Sequence, residues 1–449
     1  MFKKVLVANR GEIAVRIIRA LRELGIASVA VYSTADKQAL HTQLADEAVC
    51  IGGPSPKDSY LNAFAILSAA TVTGADAIHP GYGFLSENPA FVRMCTKSHI
   101  TFIGPDVMAM EKMGDKLEAR RIMHKANVPI IPGSQEALPD AEAAKKLAAK
   151  VGYPVMIKAS AGGGGRGIRK VEREEDIEKA FASASAEATA AFGDGTLYLE
   201  KCISDARHIE VQIVADHFGH VVHLFERECS LQRRNQKMME EAPSSCLNAE
   251  HRAEIGAAAV RAAQASGYNS VGTIEFLLDH DGHYYFMELN ARLQVEHPVT
   301  EMITGVDIVK MQVLIAAGIE LPVKQEDIHL NGHAIECRIN AEDPQKGFMP
   351  SVGTIEMLHV PGGFGVRFDS AMYVHYKIPP HYDSMIGKLI VHAPNRDTAM
   401  AKMRRALAEL VVDGVETNID FQYDLLNNED VINGNIDTGL IGRMMEERL

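Results

Sequence analysis

The sequence predicts a chain of mixed α/β and α+β class: an N-terminal parallel-sheet unit, a middle unit around a mixed or antiparallel sheet, and a third, α+β unit. Three observations carry this. The opening segment alternates short apolar strands with amphipathic helix, the rhythm of a parallel sheet with right-handed crossovers. Strand-like runs then succeed one another between about residues 197 and 289. After about Glu320, short strands are punctuated by Pro- and Gly-rich turns.

Residues 5–8 form a short apolar strand. Residues 11–24 form a helix with Ile13, Ile17, Ala20, Leu21 and Leu24 on one stripe, and Gly25 stops it. Residues 28–32, 77–79 and 101–104 read as further strands. A helix is expected over about 112–126, a linker or short strand with two prolines over 128–133, and a helix over 142–151. A strand at 154–159 carries Lys158 and leads into Gly162, Gly163, Gly164, Gly165, Arg166 and Gly167. An Ala-rich helix follows at 178–192. Residues 197–200, 208–215, 221–226, 273–278 and 284–289 read as strands. In the third unit, strands are expected at 332–340, 353–359, 365–369 and 388–393, and a helix at 397–410.

Composition narrows the function classes. The 449 residues are 47% hydrophobic and 23% charged, an ordinary globular balance. A net charge of -13 disfavours nucleic acid and anionic membranes as partners. Cys50, Cys95, Cys202, Cys229, Cys246 and Cys337 contain no Cys-x-x-Cys pair, so they read as reduced thiols of a cytoplasmic protein rather than a zinc or redox site. The apolar run near the N-terminus is broken by Asn9 and Arg10, shorter than the roughly 7–15 residues a signal peptide needs. No run approaches a membrane span. Asn9-Arg10-Gly11-Glu12 has one glycine where a dinucleotide fingerprint needs three.

Three stretches carry chemistry. Glycines 162–165 and Gly167 let backbone N–H groups approach a polyphosphate, although a flexible turn has the same composition. Lys158 just before them favours the phosphate reading, and the missing Gly-Lys-Ser/Thr ending rules out a P-loop. In Glu288-Leu-Asn290-Ala-Arg292-Leu-Gln294-Val-Glu296, every second residue is polar. Period two would line five polar side chains on one strand face, following an apolar and central strand at 284–287. An amphipathic edge strand would look alike, but oxygen ligands beside an Arg suit Mg²⁺ and an anionic substrate. Glu275 is either a further carboxylate ligand or a solvent-facing residue. Around Gln232, the cations Arg233, Arg234 and Lys237, followed by Glu240 and Glu241, are either an anion clamp or a solvated loop.

Ala8-Asn-Arg-Gly-Glu-Ile-Ala14, His79-Pro-Gly-Tyr-Gly-Phe-Leu-Ser-Glu-Asn88, the Lys158 strand with its glycine loop, Gln232-Arg-Arg, residues 288–301 and Cys337-Arg-Ile-Asn-Ala-Glu-Asp343 resemble, in order and over essentially the whole chain, the biotin carboxylase family of the ATP-grasp superfamily. The resemblance is to the stand-alone subunit form found in bacterial acetyl-CoA carboxylase. It implies a pre-ATP-grasp, Rossmann-like domain over 1–114. An ATP-grasp domain over 115–330 follows, with a mobile lid at about 131–203, and then a C-terminal α+β domain over 331–449.

The same resemblance implies the roles. Lys116, Lys158 and the loop from Gly162 to Gly167 hold ATP phosphates. Glu200, Lys201 and Ile203 form the adenine hinge with Leu277 below the ring, and His208 and Gln232 lie near the phosphates. Glu275, Glu288 and Asn290 bind Mg²⁺ or Mn²⁺. Lys237, Arg292, Gln294 and the Val295 backbone hold bicarbonate, Glu296 is its base, Arg338 stabilises the biotin enolate, and Tyr82 and Gly83 lie near the biotin ring. Asn235 stands where family members often carry His, which alters a nucleotide contact. Arg19, Glu23 and Phe364 match a homodimer interface, although Arg19 and Glu23 are also spaced for a helix-surface salt bridge.

Ala399-Met-Ala-Lys402-Met403 approximates a biotin-carrier motif but reads as amphipathic helix, so biotin is expected on a separate carboxyl carrier protein. Carboxyltransferase subunits are then the downstream partners. His297-Pro298 favours the acetyl-CoA system, feeding malonyl-CoA and fatty acid synthesis, over a pyruvate, propionyl-CoA or other biotin-dependent carboxylase. An ATP-grasp ligase with a different acceptor is disfavoured by Arg338 and residues 79–88, and a non-catalytic nucleotide sensor by the complete set of acid, base and metal groups.

Overall fold

A computed structural model describes residues 1–160 and 167–446. β1 (Lys4–Val7), β2 (Ala27–Ser33), β3 (Glu47–Gly52), β4 (Ala77–His79) and β5 (Thr101–Phe102) form a parallel sheet in the order β3-β2-β1-β4-β5. Val5 and Val7 share an apolar cluster with Ile13, Ile17, Ala20 and Leu21 of the helix Gly11–Glu23, four residues of the stripe its periodicity predicts. β3 is absent from the sequence reading, because Glu47-Ala-Val-Cys-Ile-Gly52 is an edge strand exposed at several positions with no regular alternation.

The connections leave β1 and β4 in opposite directions along the sheet, which opens a crevice beyond their C-terminal ends. Asn9 spans that crevice, its Nδ2 donating to Pro80 O and Tyr82 O at 2.7 Å each. Gly81 beneath it has φ +63°, and a β-carbon there would lie 2.9 Å from that nitrogen, so only glycine fits.

The helix expected over 112–126 is two helices, Val107–Gly114 and Lys116–Lys125. Asp115 divides them: its Oδ1 accepts from Leu117 N and Glu118 N, capping the second helix and placing Lys116 at its first position.

β6 (Val155–Ala159), β7 (Ile168–Val171) and β8 (Leu197–Lys201) form a small antiparallel sheet, with β6 in the middle. It packs on the helices Ala141–Val151 and Ile177–Phe192 around its own apolar cluster, which includes Ala144, Ile157, Ala184 and Leu199. Gly162, Gly163, Gly164, Gly165 and Arg166, the centre of the expected phosphate loop, lie outside the described residues.

β9 (Arg207–Ala215), β10 (Val221–Arg233), β11 (Gln236–Ala242), β12 (Val271–Leu278), β13 (Tyr284–Asn290) and β14 (His333–Asn340) come next. After the short strands β15 (Glu342–Asp343), β16 (Met349–Pro350) and β17 (Met357–His359) come β18 (Val366–Ser370), β19 (Met385–Ala393) and β20 (Val411–Asp413). Eight of these make one antiparallel sheet in the order β13-β12-β9-β10-β11-β14-β19-β18. The change of sequence pattern near residue 330 therefore does not interrupt the sheet: β11 pairs directly with β14.

Two expectations are corrected here. β13 is the outer strand, not a central one. Its apolar character follows from the cover over its edge, where Phe286 N donates to Pro129 O at 2.7 Å and Ile130 bridges to Phe286. The period-two face over 288–296 also does not persist, because β13 ends at Asn290 and the chain turns into the helix His297–Thr304. In the last unit, Ala399, Met400 and Met403 are buried on the helix Arg396–Glu409, as an amphipathic helix requires.

Arg227 on β10 is fully buried. It donates to Glu210 at 2.6 Å, Gln212 at 2.7 Å, Thr300 at 3.0 Å and Thr273 at 3.1 Å, stitching β9, β10 and β12 to the helix His297–Thr304. Arg227→Met strips these acceptors of their donor, so urea unfolding is expected to show a loss on the order of 3–5 kcal/mol.

Candidate active site

The cross-strand register sets three carboxylates side by side. Glu210 on β9 opposes Glu275 on β12, and Glu275 opposes Glu288 on β13. Like charges directly opposed destabilise a sheet unless cations intervene. One cation belongs to the protein. The Lys237 ammonium lies 2.6 Å from Glu210, 3.1 Å from Glu275 and 2.6 Å from Glu296. Among the described residues Glu288 has no ion pair as close: burial and Glu275 raise its pKa, against a smaller pull from Lys116. With Asn290 bonded to Glu275 at 2.8 Å, the Glu275/Glu288 pair is an all-oxygen donor set of the kind a divalent cation takes.

The hairpin that supplies Lys237 turns at Arg234 and Asn235, both with positive φ, the pattern of a tight two-residue turn in which Asn is favoured. The segment read as either an anion clamp or a solvated loop is thus a long hairpin. Leu231 pairs with Met239 but Gln232 with Lys237, so the ladder carries a bulge that re-aims Lys237. Gln232 Nε2 lies 3.1 Å from His208 Nδ1. Burial opposes a charge on His208, but Glu275 and Glu210 together outweigh it and lift the pKa to about 9.

Residues 291–296 form a loop that converges on this cluster. Arg292 donates to Glu87 at 2.9 Å, Gln294 at 2.9 Å and Asn290 at 3.1 Å, and Gln294 reaches Glu275 at 3.3 Å. Glu296 is fully buried, with Lys237 on one oxygen and Arg338 on the other at 2.9 Å. Burial and Glu210 push its pKa up, but Lys237, Arg338 and Arg227 outweigh them and hold it below the ordinary value. Arg338 on β14 also donates from Nε to Glu240 at 2.6 Å, and burial pushes Glu240 up to about 7 against that arginine. Lys237, Glu275, Asn290, Arg292, Gln294, Glu296 and Arg338 are therefore one bonded network.

The remaining residues stand around it. Lys158 forms a second group, its ammonium 2.6 Å from Glu200, which also pairs with buried Arg120. Arg120 further holds the carbonyls of Ile131 and Ser134. Lys201 turns its side chain onto the carbonyls of Gly152 and Tyr153, and its backbone N–H donates to Pro132 O at 2.8 Å. Leu277 faces His208 in register, and Ile203 follows β8. Tyr82 donates to Glu12, and Gly83 with φ +68° continues that loop. Gly167 closes a 3.0 Å backbone bond to Ala159. Glu23 pairs with Lys310 at 2.6 Å rather than with Arg19, and Phe364 is 95% exposed.

Residues 1–110 match the family described as biotin carboxylase, N-terminal domain, and residues 336–443 the biotin carboxylase C-terminal domain. Between them, residues 115–324 match the carbamoyl-phosphate synthase L chain, ATP binding domain. Biotin carboxylase 1 of Bacillus subtilis is 56% identical over 439 residues, covering 98% of each chain. The chain belongs to the biotin carboxylase family. It is an ATP-dependent ligase. Solved biotin carboxylase structures superpose closely. One, a complex from Campylobacter jejuni, has a TM-score of 0.96 at 52% identity and 99% coverage of both chains. Another, the biotin carboxylase domain dimer of the Hydrogenobacter thermophilus 2-oxoglutarate carboxylase with MgADP, ADP and bicarbonate, has a TM-score of 0.94 at 53% identity, covering 99% of this chain and 98% of that one.

Four buried or bridging groups of this biotin carboxylase fold escaped the sequence reading: Glu210, Glu87, Glu12 and Lys388. A signal existed for Glu210, since His208, Glu210 and Gln212 alternate within an otherwise apolar strand. Glu87 and Glu12 lie inside the family motifs but become site residues only when the fold brings them to Arg292 and Tyr82. Lys388 sits in an apolar run, where sequence alone shows only an interrupted strand.

Proposed function

We propose that this pocket uses ATP to activate bicarbonate as carboxyphosphate and then carboxylates N1′ of biotin presented on a separate carboxyl carrier protein. The observation that carries this reading is Glu296: a buried carboxylate clamped between Lys237 and Arg338, next to the carboxylate–amide set of Glu275, Glu288 and Asn290. Bicarbonate is a weak nucleophile until its proton is removed, and Glu296 is placed to take it. Lys237, Arg292, Gln294 and the backbone of Val295 hold the anion at the N-terminus of the helix His297–Thr304, where the helix dipole favours it.

Glu275, Glu288 and Asn290 would hold Mg²⁺ or Mn²⁺, which neutralises phosphate charge as the γ-phosphoryl group moves. Lys116, Lys158, His208, Gln232 and the loop from Gly162 to Gly167 bind the phosphates. Glu200, Lys201, Ile203 and Leu277 take the adenine, and Asn235 modifies a contact nearby. The small sheet β6–β8 then acts as the mobile lid, keeping water from carboxyphosphate. Arg338 supplies fixed positive charge to the biotin enolate, with Tyr82 and Gly83 against the ring.

Arg19, Glu23 and Phe364 face a second copy in a cytoplasmic homodimer. Carboxyltransferase subunits pass the carboxyl group on, in our reading to acetyl-CoA. A second reading, a keto-acid or other acyl-CoA carboxylase, is favoured by the 53% identity to the 2-oxoglutarate carboxylase domain.

The purified chain is expected to release ADP in a bicarbonate-dependent manner that free biotin accelerates. Arg338→Ala should lose biotin carboxylation and keep nucleotide affinity. Absence of biotin stimulation in the parent chain would overturn the proposal.

A further inference from the structure

Lys388 is among the largest fully buried side chains of the protein and has a relative exposure of 0%. It lies on β19 directly opposite Arg338, on the same face of the sheet. Its ammonium donates to the Val295 carbonyl at 2.7 Å and lies 3.2 Å from Glu12, which in turn accepts the Tyr82 hydroxyl. Tyr82, Glu12, Lys388 and Val295 thus form one polar chain. It runs from the crevice beyond β1 and β4, through a strand of the last unit, to the loop that ends in Glu296.

The Val295 carbonyl belongs to the peptide that joins Val295 to Glu296. That carbonyl is turned onto Lys388, so the peptide plane and the direction in which the Glu296 side chain departs are set from beneath. Other contacts do not replace this one. Lys237 and Arg338 grip the carboxylate end of Glu296, whereas His297 Nδ1 grips the Gln294 carbonyl one peptide earlier. A fully buried ammonium is costly compared with an apolar side chain of the same shape, and stability alone gives no reason for one here. Holding the carbonyl does.

We propose that Lys388, oriented by Glu12, is a positioning residue that fixes the Val295 and Glu296 backbone for bicarbonate and, through Glu12, ties that loop to Tyr82. The inference rests on the reading of this pocket as a biotin carboxylase site. It predicts a selective defect. Bicarbonate should bind poorly when the loop is released, while ATP, none of whose assigned contacts among the described residues bonds Lys388 or the Val295 carbonyl, should be little affected.

The test is steady-state ADP release by the full chain with bicarbonate and ATP each varied. Lys388→Met is expected to raise the KM for bicarbonate about tenfold or more, the effect of losing one charged hydrogen bond. The KM for ATP should stay within about twofold. Glu12→Gln, nearly the same size and able to accept from Tyr82, should shift bicarbonate in the same direction by less, and it carries the test if Lys388→Met does not fold. An unchanged bicarbonate KM, or equal losses for both substrates with a lowered unfolding midpoint, overturns the inference. If the parent chain itself shows no bicarbonate-dependent ADP release, the proposed function falls instead.

Discussion

Glu296→Gln is expected to lower biotin carboxylation by a factor of roughly 10²–10⁴, the usual worth of a positioned general base. The amide keeps the size of the side chain and can still meet Lys237 and Arg338, but it cannot accept the bicarbonate proton. Nucleotide affinity should survive, because among the described residues the Glu296 carboxylate bonds only Lys237 and Arg338, neither of which is assigned to the nucleotide. Incorporation of labelled bicarbonate into biotin reads the first effect and calorimetry with ADP the second. The sign of the pH dependence follows from the charges. Lys237 and Arg338 hold Glu296 below the ordinary carboxylate value, so the base is already deprotonated throughout the neutral range. Any acid limb near neutrality should therefore belong to bicarbonate's own protonation and be shared by parent and variant, with no added limb from Glu296 in that range. Undiminished carboxylation would remove Glu296 from its role.

Lys237→Met is expected to have the second large effect, on stability as well as activity. One ammonium answers Glu210, Glu275 and Glu296. Removing it leaves three buried carboxylates facing one another, at a cost on the order of 3–5 kcal/mol. Lys237 is among the causes that depress Glu275 and Glu296 despite their burial. A depressed carboxylate contributes stability above its unfolded pKa and loses that contribution as pH falls through the folded value. The variant's deficit should therefore be greatest near neutrality and shrink in acid, as these carboxylates protonate. Urea unfolding across the pH range reads this directly, and a deficit that grows toward acid would contradict the account.

Much of the architecture is legible in the chain because local periodicity and burial agree. The stripe on Gly11–Glu23 and the apolar run at Ala77–His79 each satisfy their own elements. What escapes reading is decided by tertiary contacts. β3 is too exposed to alternate cleanly. Asp115 splits a helix by capping, a choice that an unbroken helical pattern conceals. The alternation from Glu288 to Glu296 predicts a single strand face, and that geometry is not what brings these residues together. They converge because the chain leaves the strand at Asn290 and folds over the sheet, and a strand would have spread them along one line. Lys388 shows the limit most clearly, since nothing beside it in sequence announces a partner in Val295.

The eight-stranded sheet has a mechanical consequence. Glu210 and Glu275 on one side and Arg338 and Lys388 on the other belong to the same hydrogen-bonded fabric, joined through β11 and β14. The groups proposed for phosphate chemistry and the arginine proposed for biotin thus share one continuous sheet. The three-stranded sheet β6–β8 packs on a core of its own. If it is the lid of the proposed reaction, its motion would be felt in how fast nucleotide enters and leaves, and would leave the geometry between Glu296 and Arg338 unchanged.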